Sequence, residues 1–400
     1  MKAGWEVKPL GEVYDIGSSK RVLQSQWTRS GVPFYRAREV VKLAKFGAVD
    51  NELFISEDHF ARLRKSHGVP TAGDLMVSAV GTLGACYVVQ EHDQFYFKDA
   101  SVLWFRPKSF VEAAFVKYAF EWSGLRHQVI ASDGATVGTF TISRANGTSI
   151  PLPPLEEQQR IVAVLDEAFE GLTRARAHAE ANLQSARELF DSTIGHIFSR
   201  ASDWPCLKIS EIGRVFDGPH ATPKTVAEGP LFLGISSLVD GRIELAKTRH
   251  VTDEDFARWT KRVTPRGGDV VFSYETRLGQ VGLIPDGMKC CLGRRMGLVR
   301  LNREVIDPEY FVLCYLSPEF QKFLREKTIK GATVDRLSIK DFPDFGFPTP
   351  TLEVQEVIID QVRILRVQLD LLVERAEKKL QSLDALRQSL LQKAFAGELS

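Results

Sequence analysis

The residues to look for first are those whose types and spacing could perform chemistry. A bound nucleotide phosphate calls for a Gly-rich loop closing on Gly-Lys, and the chain contains no Gly-Lys dipeptide. Zinc hydrolysis calls for HExxH or a Cys/His cluster, but the eight histidines are dispersed, and His178 and His196 sit alone in helical stretches as structural residues. Acyl transfer on a sharp turn calls for GxSxG, and dinucleotide binding for GxGxxG after a strand; neither occurs. Asp307-Pro308-Glu309-Tyr310 approaches the Asp/Asn-Pro-Pro-aromatic signature of amino-methyltransferases, but Glu309 stands where the second proline belongs, so the run reads as a helix start. Catalysis thus leaves no recognisable constellation.

Binding leaves more. Basic residues gather in short clusters on predicted loops: Lys20-Arg21, Arg36 with Arg38, Lys42 and Lys45, and Arg62, Arg64 and Lys65 in the first part of the chain. Later come His220 with Lys224, Arg258 with Lys261-Arg262, Arg277, Arg294-Arg295, and Arg336 with Lys340. Arginine can read guanine edges with two hydrogen bonds, while threonine hydroxyls and backbone amides can hold phosphate oxygens. Thr82, Thr136, Thr139, Thr333 and Tyr274, set among small residues, join the candidate nucleic-acid contacts on that ground. Any one of these is ordinarily a solvated surface group; the collection carries the reading.

These residues are positioned by a repeat. Offset by 197 residues, Gly134-Ala135-Thr136-Val137 falls on Gly331-Ala332-Thr333-Val334, and Leu155-Glu156-x-Gln158 on Leu352-Glu353-x-Gln355. Earlier in each half the offset drifts by a few residues, and GDLMVSAVGTLG (73–84) matches GDVVFSYETRLG (268–279). The chain is a tandem duplication of a two-part unit. Its frame repeats, but Ala79-Val80-Gly81-Thr82 aligns with Tyr274-Glu275-Thr276-Arg277, so the loops differ where the scaffold does not. Two ligands, or two DNA half-sequences, would require that.

Each globular part (1–154 and 201–351) mixes short apolar strands with helices and reads as α+β. Each is followed by a long amphipathic stretch, 155–200 and 352–400, entered through a proline cluster with acidic residues in the first turn. Ile161, Leu165, Phe169, Leu172, Ala179, Leu183, Ala186 and Phe190 form one apolar stripe. Leu365, Leu369, Leu372, Ala376, Leu380, Leu383, Leu390 and Ala394 form the other. The two stripes predict an antiparallel coiled coil holding two similar heads apart about a pseudo-twofold axis, with Gly171 and Gly195 as places where the first helix would bend or end. The long segments hold 12 Lys+Arg against 16 Asp+Glu, which leaves the heads with 40 against 35. That balance permits a polyanionic ligand without demanding one. Five cysteines without CxxC spacing point to a reducing cytosol, and no apolar run suits a signal peptide or a membrane span. A tandem enzyme with unrecognised motifs and a two-headed protein scaffold remain open alternatives.

The paired Leu-Glu-x-Gln helix entrances, the Gly-Asp strand Leu-Gly segments, the GATV runs and the C-terminal LLQKAFAGELS together resemble the specificity subunit of type I restriction-modification systems, over essentially the whole chain. The resemblance implies two target recognition domains, each reading half of a split double-stranded DNA target, separated by spacer helices. It implies docking of two modification subunits, with contacts at the helix entrances (Leu155, Gln158, Ile161, Leu352, Gln355 and Ile358), and further restriction subunits. It implies no cofactor in this chain: S-adenosylmethionine would belong to the modification subunit, ATP and Mg to the restriction subunit. Val354 departs from the second Glu of the first entrance.

Overall fold

The structure, a computed structural model, describes residues 2, 4–131, 138–219, 222–330 and 335–399. The GATV runs, with Thr136 and Thr333, and His220 lie outside the described residues. The chain forms two compact units: Met1–Glu180 with Glu377–Ser400, and Ala181–Ala376. The division does not follow the head-to-helix boundary, because each long helix contributes one segment to each unit.

In the first unit the apolar run Leu75–Ser78 is buried at every position and pairs antiparallel on both edges. The resulting sheet has the order Tyr14–Gly17, Val102–Pro107, Leu75–Ser78, Cys86–Val88. A second sheet, Trp27–Thr28, Phe54–Ile55, Val32–Tyr35 and Tyr96–Phe97, closes with a parallel pair, Phe34 opposite Tyr96. In the second unit the equivalent run Val270–Ser273 is again wholly buried. Its sheet has the same order: Gly213–Asp217, Met296–Leu301, Val270–Ser273, Val281–Leu283. There too a parallel pair, Leu231 opposite Cys290, belongs to the second sheet. Runs apolar at successive positions suit strands covered on both faces, which is what the Gly-Asp segments are.

The long helices are continuous from Leu155 to Phe198 and from Leu352 to Ala396. Neither Gly171 nor Gly195 ends the first helix early: the packing of a helix of this length outweighs the ~1 kcal/mol penalty of an internal glycine. Within the first unit the two helix segments run antiparallel. Phe169 carries the Arg387 guanidinium 3.8 Å from its ring centre, and two turns further along the first helix Arg176 pairs with Asp384 at 2.6 Å. In the second unit Arg366 lies over Phe190 at 5.7 Å. Along the second helix the covered positions 366, 369, 373, 376, 380, 383, 387 and 390 alternate by three and four. Leu372, expected in that seam, is 49% exposed, and Val373 takes its place. The helix ends inside the first unit's core, where Leu391 and Ala394 are fully buried and Phe395 stacks on Trp122.

The entrance motif has a definite job. Gln158 is buried; its Oε1 accepts from the Glu112 amide at 2.9 Å and its Nε2 donates to the Pro153 carbonyl at 2.8 Å. Gln355, fully buried, does the same in the second unit. It accepts from the Asp307 amide at 2.8 Å and donates to the carbonyls of Pro350 at 2.8 Å and Val305 at 3.0 Å. Glu112 and Asp307 are the N-cap residues of matching head helices, Ala113–Glu121 and Pro308–Leu316. One side chain thus ties the proline turn, the start of the long helix and the start of a head helix. Removing it strands a buried amide and at least one buried carbonyl, so Gln355→Leu should destabilise the protein by about 2–4 kcal/mol. Denaturant titration should show a lowered midpoint, and an unchanged midpoint would refute the latch.

Candidate nucleic-acid interface

Each head builds its loop cluster from the same three segments. In the first, the turn after Ser78 is held by the Ser78 hydroxyl donating to the Thr82 carbonyl while its oxygen accepts from the Ala85 amide at 2.9 Å. Ala79 bonds through its amide to the Ser101 carbonyl at 2.9 Å and through its carbonyl to the Phe140 amide at 2.9 Å. In the second head the Ser273 hydroxyl donates to the Arg277 carbonyl. Tyr274 bonds through its amide to the Arg295 carbonyl at 3.2 Å and through its carbonyl to the Leu337 amide at 2.8 Å. Gly81 and Thr276 occupy the same place in these turns with the same left-handed backbone, φ +70° in each. Glycine adopts that conformation freely, whereas a threonine there is strained. Arg295, also left-handed at φ +68°, donates to the Thr276 hydroxyl at 3.0 Å and pairs with Glu275 at 3.0 Å.

The candidate contacts sort by what already holds them. Thr82 and Thr139 are exposed in the first head's cluster. Lys20 is exposed nearby, its amide donating to the Tyr96 hydroxyl at 3.0 Å, and Arg21 pairs with Asp99 at 2.9 Å. In the second head Arg277, Arg294 and Arg336 are exposed, and the backbone of Arg336 bridges that of Glu275. The structure therefore gathers Arg277, Arg294, Arg295 and Arg336 onto one cluster, while Lys224 is exposed on a separate loop.

Several expectations change. Arg36 is the N-cap of helix Ala37–Phe46, and its guanidinium forks onto Glu39 at 2.9 and 3.1 Å, joined by Arg38, which also pairs with Glu52 at 2.7 Å. Burial alone would raise the Glu39 carboxyl, but the two guanidiniums outweigh it and hold it below the ordinary value. Arg36 is thus held half-buried at a helix start, whereas Arg38, though paired, stays exposed. Tyr274 is buried, its hydroxyl donating to Asp217 at 3.0 Å, and burial raises its pKa. Gln158, Ile161, Gln355 and Ile358, expected to meet a partner, are buried in the chain's own cores, whereas Leu352 is exposed and Leu155 half-buried. Glu275 and Thr276, aligned with the first head's turn but not counted as contacts, brace the second: Glu275 through its pair with Arg295, Thr276 through its left-handed backbone. The adjacent Cys290 and Cys291 are packing residues, each thiol pushed up to about 12, chiefly by burial. Among the described residues no three or more His, Cys, Asp or Glu side chains group as metal ligands, and no helix is long and apolar enough to cross a membrane.

The duplicated frame is matched twice by a known family. The description "Type I restriction modification DNA specificity domain" fits residues 2–180 and again 203–380. The chain belongs to the type I restriction-modification specificity family. The putative MjaX specificity subunit of Methanocaldococcus jannaschii is 22% identical, across 99% of this chain and 93% of that one. The EcoBI specificity subunit of Escherichia coli is also 22% identical, across 67% of this chain and 62% of its own length. A putative specificity subunit of Haemophilus influenzae reaches 31% identity across 42% of this chain, which spans 41% of that relative's length. A solved chain from work on complex assembly and conformational transition of the type I R-M system superposes with a TM-score of 0.78 at 20% identity, covering 100% of this chain and 99% of that one. The HsdS subunit of Thermoanaerobacter tengcongensis gives 0.58, also at 20% identity, covering 100% and 98%. The specificity-family fold is thereby shared over the full length, with two recognition domains and two long helices. For a specificity chain of this kind, Arg277→Ala should weaken binding of the assembled complex by about 1–3 kcal/mol. Titration against duplexes altered in one half at a time should place that loss in a single half.

Proposed function

We propose that this chain is the DNA-reading subunit of a type I restriction-modification complex, each head recognising one half of a bipartite duplex target. The observation that carries this reading is the pair of turns after Ser78 and Ser273. The same hydroxyl-to-carbonyl bond holds both, yet one displays Thr82 and the other Arg277. A fixed frame with a changed display is what two different half-sequences need. The long helices set the gap between the halves, since α-helices rise a fixed 1.5 Å per residue and resist compression. The chain has no catalytic role of its own; adenine methylation with S-adenosylmethionine belongs to the modification subunits, and ATP- and Mg-dependent cleavage to the restriction subunits. The complex works on DNA in the cytoplasm.

An exposed apolar line supports docking of a modification subunit. Val357, Ile364 and Leu371, seven residues apart, face solvent on the second long helix with Val354 and Val367 beside them. Such a line suits a partner helix. The positions 197 residues earlier are Arg160, Glu167 and Arg174, exposed and charged, so the first helix offers a chemically different face. Ile364→Glu should then lower the co-purified modification subunits from two per specificity chain to one, as read by native mass spectrometry. Two retained subunits would rule this face out.

The test of the reading itself is exchange of the first head for that of another family member, followed by single-molecule methylome sequencing. One half of the methylated sequence should change and the other should stay. A change in both halves would overturn the two-head reading, and methylation by the chain alone would favour a tandem enzyme.

A further inference from the structure

The second head contains a cleft of about 530 Å³ that the readout cluster does not use. Its lining includes Arg258, Lys261 and Arg262, the Trp259 ring, and the turn at Asp217 and Pro219. All three cations are exposed, and among the described residues none has an acidic side chain within ion-pair distance. They differ in this from Arg295 and Arg300, which pair with Glu275 and Asp269. Arg258 is laid over the Trp259 ring at 5.2 Å, which orients its guanidinium without neutralising it. Against the three stands one lining carboxylate, Asp217, which already accepts from the Tyr274 hydroxyl. The cleft is therefore a concave, net-positive site.

Its position matters as much as its charge. Leu292 lines the cleft and lies two residues before Arg294, so the segment that carries the readout arginines also forms the cleft wall. The first head repeats the sequence of the basic element: Phe60-Ala61-Arg62 with Lys65 matches Phe256-Ala257-Arg258 with Lys261, on helices capped by a hydroxyl, Ser56 or Thr252, with Lys261 lying just past the end of its helix. Complementing a helix dipole would explain cations at the C-terminal end of these helices. It does not explain three uncompensated charges around a cavity beside the loops that read the ligand.

We infer that this cleft is a clamp for the DNA backbone, with Arg258, Lys261 and Arg262 neutralising phosphates that flank the half-sequence read by the second head. The inference rests on the DNA-reading role proposed above. Cations on an exposed helix end and the turn after it sense charge and carry no base code, so the clamp fixes register while the neighbouring loops specify sequence.

The experiment uses the complex assembled with its modification subunits. Binding is measured by fluorescence anisotropy against salt for the wild type, for the triple variant Arg258→Gln, Lys261→Gln, Arg262→Gln, and for Arg258→Lys, Arg262→Lys. The triple variant should bind cognate and scrambled duplexes more weakly by the same factor, roughly tenfold or more. Its dependence of log affinity on log salt should be shallower by about 2–3. The lysine variant, which keeps charge but loses the planar fork, should keep the wild-type salt dependence, and the methylated sequence should be unaltered throughout. An unchanged salt slope in the triple variant would overturn the clamp, as would an altered half-sequence, which would make these residues base readers. A wild-type complex with no preference for a bipartite target would overturn the DNA-reading role, and the clamp with it.

Discussion

A glutamine amide buried at the entrance of each long helix is the constraint on which each unit depends. Its two ends are used at once, the oxygen for the N-cap amide of a head helix and the nitrogen for a proline carbonyl. Proline supplies no amide to compete for that carbonyl and presets the turn that presents it. The long helix can therefore start in only one direction from its head. Leucine at the same place would fill the volume yet leave buried polar groups unpaired, which explains why a polar residue sits at the centre of an apolar contact.

With that junction fixed, the heads separate frame from display. The Ser78 and Ser273 hydroxyls close matching turns, and the four-stranded sheets have the same order in both units. The displayed residues differ, and in the second head the difference carries a cost. A threonine takes the left-handed conformation that Gly81 adopts freely, a strain on the order of 1–3 kcal/mol. The Arg295 bonds to Thr276 and Glu275 hold it there. A strained, cross-braced turn keeps its side chains in one arrangement, which suits recognition better than a relaxed loop would.

Much of this was legible in the sequence because it rests on periodicity and order. The repeat, the buried Gly-Asp strands and the long helices all appear as patterns of apolar spacing, and the structure has them. What failed was information that pattern does not encode. Leu372 and Val373 are adjacent and both apolar, so sequence could not say which faces the seam. Arg36 looked outward-facing, but charge type does not reveal that Glu39 lies buried one turn away to receive it. Gln158 and Gln355 were recognised as recurrent and assigned to a partner, whereas their hydrogen bonds end on backbone groups of the chain itself. The one trace of the left-handed φ at Thr276 was Gly81 at the matching place of the first head, because a threonine does not announce that conformation by itself.

Duplication within one chain has a consequence that a dimer of identical subunits would not have. A symmetric dimer must present the same loops twice, whereas here the sheet, the serine-held turn and the glutamine latch are kept and the loops diverge independently. The long helices are kept as paired elements but not as copies: Val357, Ile364 and Leu371 replace Arg160, Glu167 and Arg174 on the outer face. Each unit is completed by a helix segment from the other half of the sequence, and Phe395, near the C-terminus, packs in the first unit on Phe115 and Trp122. Contacts of such sequence separation are slow to form, and the first unit's core is not closed until the Phe395 segment joins it. The ring contacts of Phe395 fall on a head helix and its C-cap, Phe115 and Trp122, so they leave the displayed residues Thr82 and Thr139 free to diverge.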